Sequence, residues 1–180
     1  MPPELITADF FTNQHRVRGQ IFTGDRRLTD VLNDELYSYV ELSKAEVARV
    51  IEPEKVVYSY PSVILMKEAI VFALITGARS NGTASRISKY VEKKPYDVLL
   101  TLPPYEISGR LYLRGTGDPR TLMIREVGHF VPMTQARAVF TLFPKVKFIG
   151  EVAIVNKALL EVMGALETPI RSSDGITGAG

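Results

Sequence analysis

The stretch HRVRGQIFTGDRRLTDVLNDELYSYVELSKAEV, residues 15–47, is echoed by YEISGRLYLRGTGDPRTLMIREVGHFVPMTQARAV, residues 105–139. The alignment places Gly19 over Gly109, and the apolar positions on either side of the two glycines also match. A third block extends it, because VILMKEAIV and VAIVNKALL align at nearly the same separation, about 89 to 91 residues. A repeated pattern of apolar positions and turns implies a repeated fold. The sequence therefore predicts two diverged copies of one unit.

Each copy contains a strand with alternating apolar and polar residues and a glycine on its apolar face. The period of two in YEISGRLYL and in HRVRGQIF is typical of a half-buried strand. Glycine weakens a strand unless the backbone bends or packs closely there, and strands of small barrels are strongly curved. We therefore expect structural roles for Gly19 and Gly109, the alternative being that two glycines coincide by chance.

The segments after this strand also correspond between the copies. DRRLTDVLNDEL and DPRTLMIREVG each predict a short helix, with Asp, Pro and Gly at capping positions in the second. Residues rich in β-branched and aromatic types then predict another strand, in which Pro132 requires an edge or a bulge. Each copy closes with a predicted hairpin, whose polar tips are Met66 to Ala69 and Val155 to Ala158.

These elements predict a mainly β fold with short helices, of the α+β class. The architecture expected is two tandem quasi-equivalent small β-barrel-like units related by internal duplication. The predicted boundaries are a first β-rich repeat at 1–76, a linker with a short helix at 77–95, a second β-rich repeat at 96–166 and a flexible tail at 167–180.

Composition narrows the class of protein. Hydrophobic residues make up 46% and charged residues 23% of the chain, as in ordinary soluble domains. The absence of cysteine excludes disulfides, thiolate metal sites and cysteine nucleophiles. No apolar stretch reaches the ~20 residues that span a bilayer, and the first residues do not resemble a signal peptide. We expect a cytoplasmic protein with no membrane partner.

Few residues offer catalytic chemistry. The two histidines, His15 and His129, do not align with each other, and both are interpreted as surface or rim residues. Hydrolase, zinc and nucleotide-binding motifs are missing from the chain. We predict no catalytic residue, no cofactor and no metal, and we expect that the protein is not an enzyme. One acidic set is interpreted as solvated charge rather than as a calcium or magnesium site: Asp25, Asp30, Asp34 and Glu35.

Two regions of the sequence combine positive charge with groups that bind anions or bases. The linker interleaves cations with tyrosines, a combination used for single-stranded nucleic acids. Its candidate nucleic-acid-binding residues are Arg86, Lys89, Lys93, Lys94, Tyr90 and Tyr96. The loop RGTGDPR has glycines and arginines that suit an anion, although the loop also needs glycine for its own geometry. Its candidate anion-binding residues are Arg114, Gly115, Gly117 and Arg120.

Tyr58 and Tyr60 are two residues apart, so they share one face of a strand. Three interpretations stay open for this pair: cross-strand packing, anchors of a protein interface, or stacking platforms for bases.

The order of elements resembles the Sm-like fold of small five-stranded barrels. The resemblance rests on the Val98 to Leu100 strand, the glycine-bearing strand ISGRLYL and the closing segment VAIVNKALLEV. The RNA-reading residues of that family do not transfer, because its Asp-x-x-x-Asn segment is not present and its Arg-Gly pair has no counterpart. The segment RLTDVLN with the NK-type hairpin also resembles bacterial domains of unknown function that occur singly or in tandem. Both resemblances imply a fold and supply no activity.

Three functions remain in competition. The leading hypothesis is a non-enzymatic binding or assembly module that self-associates as a homo-oligomer through strand edges near Pro132 and from Tyr58 to Tyr60. The second is binding of single-stranded RNA or DNA through the basic linker and its tyrosines. The third is a small-ligand or enzyme site at the seam between the copies, near Asp30, His129 or Arg120.

Overall fold

The structure is a computed structural model that describes residues 5–76, 93–114 and 128–165. Its strands are β1 (Leu5–Phe11), β2 (His15–Phe22), β3 (Tyr39–Arg49), β4 (Val56–Met66), β5 (Phe72–Ile75), β6 (Lys93–Leu102), β7 (Tyr105–Arg114), β8 (Phe130–Phe140), β9 (Lys147–Asn156) and β10 (Val162–Ala165). The helical elements described are α1 (Leu28–Leu32) and two 3₁₀ turns, Lys67–Ala69 and Lys157–Leu159. None of the helices described is long and apolar enough to cross a membrane.

All ten strands form one open antiparallel sheet, in the order β10-β6-β7-β8-β9-β5-β1-β2-β3-β4. We call β1 to β5 the first half and β6 to β10 the second half. The expectation of an α+β fold with two separate barrel-like units is therefore wrong. The fold is essentially all-β, and the two halves are joined where β9 pairs with β5.

The reason for this error lies in the closing segment of each half. The polar residues at 67–69 do not turn the chain back onto β4, as the predicted hairpin requires. They form a 3₁₀ turn, after which β5 pairs with β1 on one side and with β9 on the other. Likewise β10 pairs with β6 instead of folding back on β9. A period-two apolar pattern identifies a strand but not the neighbour of that strand.

The two halves share the same order of pairing and the same irregularity. In the first half the β2–β3 register shifts at Gly19, opposite Lys44, which has a φ of 50°. In the second half the β7–β8 register shifts at Gly109, opposite Gln135, which has a φ of 52°. One extra residue on one strand is the geometry of a β-bulge, which bends the sheet and increases its twist.

The backbone approaches closely at both glycines. A Cβ on Gly19 would lie 2.9 Å from Cβ of Leu42, and a Cβ on Gly109 would lie 2.5 Å from Cε of Met133. Both contacts are shorter than a van der Waals contact. The end of the Met133 side chain could move aside, but a Cβ on Gly109 would also lie 3.0 Å from the backbone carbonyl oxygen of Thr134, so a methyl group at either glycine would crowd the neighbouring strand. Gly19 on β2 and Gly109 on β7 therefore lie directly opposite the extra residue that β3 and β8 carry at the two bulges.

Buried side chains form two hydrophobic clusters. The first core is built mainly on the first half, and the second core mainly on the second half. The first core comprises Ala8, Phe10, Val17, Ile21, Leu28, Leu32, Val40, Leu42, Ala45, Ile70, Ala73, Phe130 and Ile154. The second core comprises Phe11, Val50, Val71, Phe72, Leu74, Val98, Leu100, Leu102, Tyr105, Ile107, Leu111, Leu113, Val131, Met133, Ala136, Ala138, Phe140, Ala153 and Val155. Each core thus contains residues supplied by the other half.

Pro132 lies beyond the β-bulge of the second half, where the described β7–β8 ladder has already ended at Thr134, so its segment is paired with β9 alone. This agrees with the expectation of an edge or a bulge, since a missing N–H is tolerated there. The segment is not an exposed contact surface, because β8 is not an end of the sheet and its neighbours Val131 and Met133 are buried. The boundary of the linker needs correction: it was placed at 77–95, but β6 already begins at Lys93.

Candidate assembly edges and the cleft at the seam

The seam between the halves is an antiparallel pairing of β5 with β9. Its three residue pairs are Phe72 with Val155, Ala73 with Ile154, and Leu74 with Ala153. The backbone N–H of Asn156 donates to the carbonyl oxygen of Val71 at 3.0 Å and extends the ladder by one pair. All six paired residues are buried.

Side chains at the seam pack into the core of the opposite half. Ile154 belongs to the second half but packs in the first core, where 1% of it is exposed. Phe72 and Leu74 belong to the first half but pack in the second core. The Phe72 ring stacks on Phe11 with centroids 4.3 Å apart and meets Tyr105 edge-on at 5.0 Å. The seam is therefore held by exchange of apolar side chains as well as by backbone hydrogen bonds.

Tyr105 adds a polar link across the same seam. Its hydroxyl group donates to the carbonyl oxygen of Thr12 in the first half at 2.6 Å. Burial raises the pKa of this phenol well above its ordinary value. The hydroxyl group therefore stays protonated and remains a donor.

One end of the sheet is the long strand β4. It pairs with β3, and no described residue pairs with its other side. The first seven of its eleven residues are exposed, and Ile64 further along is 67% exposed. An exposed, apolar edge strand is a template for pairing with another chain, and most soluble proteins avoid one.

Tyr58 and Tyr60 lie on this edge strand. Their rings are 6.1 Å apart, and the side chains remain 57% and 46% exposed. In the ladder they lie opposite Val47 and Ala45, small partners that leave much of each ring uncovered. Cross-strand packing therefore accounts for only part of their surface, and the rest is available to a partner.

The other end of the sheet is β10. It pairs with β6 from Val162 to Ala165, and its outer side has no partner among the described residues. Val162 is 59% exposed. The sheet thus ends in two unpaired edges, a long one and a short one, both carrying exposed apolar side chains.

A cleft of about 380 Å³ opens beside the seam, between the turn after α1 and residues 128–130. Asn33 connects the two sides, because its amide donates to the carbonyl oxygen of Phe130 and accepts from the backbone N–H of Phe130, both at 2.8 Å. Lys67 and His129 line the same cleft. A site at the seam was one of the sequence-based hypotheses. Of the residues named for it, His129 lines this cleft, Asp30 does not, and Arg120 lies outside the described residues.

Two of the charged residues that line the cleft, Lys67 and Asp34, have hydrogen-bond partners. The Lys67 ammonium group donates to the carbonyl oxygen of Asp34 at 2.6 Å, and partial burial lowers the pKa of Lys67. Arg26 donates to the Asp34 carboxylate at 2.6 Å, and this hydrogen bond, with one from the backbone of Leu36, lowers the pKa of Asp34. These contacts hold the turn after α1 against the start of the 3₁₀ turn.

The acidic set does not converge on one point. Asp30 accepts from the backbone N–H of Arg27 and caps α1, whereas Asp34 binds Arg26. No group of three or more histidine or acidic side chains with metal-binding geometry occurs in the part of the chain that the structure describes.

The structure places few of the other predicted binding residues. Arg86, Lys89, Tyr90, Gly115, Gly117 and Arg120 lie outside the described residues. Lys93 and Lys94 are the first residues of β6, and Arg114 is the last residue of β7. Tyr96 is partly buried against the second core, so its ring is only partly available for stacking.

The sequence interpretation did not identify Ile64 or Val162. Both belong to apolar runs that were interpreted as the arms of closing hairpins, whose apolar faces would then be covered. The signal present in the sequence was the unbroken apolar character of VILM, since a strand with one solvent-facing side normally alternates.

Comparisons with protein-family models, with curated proteins and with solved structures return no match for this chain.

Proposed function

We propose that this chain is a non-enzymatic assembly module that self-associates through its sheet edges. The observation that carries the proposal is the edge strand β4, whose outer side has no partner among the described residues and which exposes an apolar side chain, Ile64. The protein works by binding rather than by catalysis, and its partner adds a strand to this edge.

Physical chemistry supports strand addition at β4. A partner strand would satisfy the unpaired backbone donors and acceptors of the edge, which gives affinity in this mode of recognition. Burial of one isoleucine side chain contributes about 1.5–3 kcal/mol. Tyr58 and Tyr60 offer large rings with a polar end, and tyrosine is enriched in interfaces.

The competing functions have less support from the described residues. In the cleft, Lys67 donates to the backbone carbonyl oxygen of Asp34 and the Asp34 carboxylate accepts from Arg26, so a ligand of these groups would have to displace these contacts. Nucleic-acid binding through the linker stays a prediction from the sequence.

The proposal is tested by measuring self-association of the wild type and of Ile64→Lys by sedimentation velocity over a concentration series. We expect the wild type to form oligomers at micromolar concentration. Ile64→Lys should stay folded, because the side chain is exposed, but it should become monomeric because a buried ammonium group in the new interface lacks a partner.

Ile149→Lys is the matched control. Ile149 is an isoleucine in a strand and is 75% exposed, but it lies on β9, outside the paired segment of the seam. It should associate like the wild type. A wild type that sediments as a monomer at high micromolar concentration would refute the proposal, as would equal effects of the two substitutions.

A further inference from the structure

The seam inside the chain corresponds position by position to the two free edges. β9 and β4 are the fourth strands of their halves: Val131 pairs with Val155 as Val40 pairs with Leu65, and a 3₁₀ turn follows each strand. The pairing places Ile64 at the position of Ile154, one residue away from the sequence alignment of VILMKEAIV with VAIVNKALL, which placed Ile64 over Ala153. β5 and β10 are the last strands of their halves. Phe72 pairs with Phe11 as Val162 pairs with Thr101.

The strands that meet in the seam are therefore the fourth strand of one half and the last strand of the other. The two strands left at the ends of the sheet are a fourth strand, β4, and a last strand, β10. The molecule thus has, unpaired at its two ends, the same two kinds of edge that it joins in its middle.

We infer that β4 of one molecule pairs with β10 of a second copy, antiparallel and in the register of the seam. This inference rests on the proposed function and names the partner of the same edge. Transferred residue by residue, the seam predicts three pairs between molecules: Leu65 with Val162, Ile64 with Met163, and Val63 with Gly164.

Side-chain burial supports this pairing more strongly than backbone geometry alone. Ile154, Phe72 and Leu74 are the seam residues that cross into the opposite core. At the free edges the counterparts of Ile154 and Phe72 are Ile64 and Val162, which are 67% and 59% exposed, whereas the counterpart of Leu74 is Gly164, which has no side chain. Two of the three residues that enter the neighbouring core at the seam thus have exposed apolar counterparts at the ends.

The side chains next to them behave differently, as the same pairing requires. At the seam Val155 packs in the core of its own half, and its counterpart Leu65 packs against the first core, also its own. Met163 likewise packs against the second core. At each free edge, one side chain packs against the core of its own half, Leu65 on β4 and Met163 on β10. The side chain next to it, Ile64 or Val162, is exposed and would be buried by a neighbouring molecule.

Pairing of β4 with β10 joins two different surfaces, so the contact is head-to-tail. A head-to-tail contact leaves one free β4 and one free β10 on every growing assembly. Such contacts close into a ring when the rotation between neighbours permits it and otherwise build a filament. A β4-to-β4 contact would instead stop at a dimer.

The absence of cysteine makes the register directly testable by disulfide cross-linking. Leu65 and Val162 are the best pair. In the seam their counterparts lie next to the hydrogen-bonded pair of Asn156 and Val71, so they are a non-hydrogen-bonded pair. Such pairs have Cα atoms about 4.5 Å apart, within the range that a disulfide bridges.

The experiment mixes Leu65→Cys protein with Val162→Cys protein carrying a tag that changes its size, oxidises the mixture and separates it without reductant. We expect the band of the mixed dimer to dominate, and each variant alone to give little dimer. Tyr58→Cys replaces Leu65→Cys in a matched control. Tyr58 is exposed on the same strand but about 23 Å from Leu65 at ~3.3 Å per residue, so it should not cross-link to Val162→Cys.

Three results would overturn the inference. Self-cross-linking of Leu65→Cys in preference to the mixed pair would show a symmetric β4-to-β4 contact, and oligomers without the mixed disulfide would show another surface. Both would leave self-association standing. Monomeric protein under all conditions would remove this inference together with the proposed function.

Discussion

The seam and the two ends of the sheet present the same types of strand in opposite situations. At the seam β9 and β5 pair with each other and their apolar side chains are buried. At the ends, the outer sides of β4 and β10 have no partner among the described residues, and Ile64 and Val162 are exposed. The difference indicates that the outward apolar side chains of such a strand are covered by the neighbouring unit, whereas its inward ones pack in the core of their own half. A chain with two units can satisfy only one such contact internally.

The largest expected effect distinguishes Ile154 from its counterpart Ile64. Ile154→Ala should lower the free energy of unfolding by about 2–5 kcal/mol, because it leaves a cavity in the first core. Ile64→Ala should change it by less than about 0.5 kcal/mol, because the side chain is exposed in the single molecule. Urea unfolding at a concentration where the protein is monomeric measures both.

Equal changes in the free energy of unfolding for Ile154→Ala and Ile64→Ala would contradict the comparison of the seam with the free edge. Equal large losses would mean that Ile64 is already covered within the chain. Equal small losses would mean that Ile154 does not contribute to the first core.

A smaller effect is expected at Asn156, the polar residue that ends the seam. Its buried amide donates to the carbonyl oxygen of Ile70 at 3.0 Å and accepts from the backbone N–H of Ala158 at 3.1 Å. Asn156→Ala should cost about 1–3 kcal/mol, since buried polar groups lose their partners. Its counterpart at the free edge is Met66, which is partly exposed, and Met66→Ala should cost less than about 1 kcal/mol in thermal unfolding.

Similar changes in melting temperature for Asn156→Ala and Met66→Ala would contradict this part of the comparison. They would indicate that the hydrogen bonds of Asn156 do not stabilise the seam.

The sequence predicted the strands better than it predicted their neighbours. Alternation around Gly19 and Gly109 located two strands, and both glycines lie at register shifts where a Cβ would clash. The short helix after the first of these strands was also predicted, and α1 lies there. These features depend on local patterns of residue type.

The path of β5 was not predictable in the same way. A polar tip between apolar runs at 67–69 is compatible with a hairpin and with a 3₁₀ turn that sends β5 to β1. The choice depends on which core accepts Phe72, and that contact joins residues far apart in the chain.

The most direct test of the central claim combines two variants that each block one edge. Ile64→Lys keeps a working β10, and Val162→Lys keeps a working β4. Each variant alone should be monomeric in light scattering, and an equimolar mixture should form a two-chain complex that grows no further. A Val162→Lys protein that still self-associates, or a mixture that stays monomeric beside an oligomeric wild type, would contradict the account.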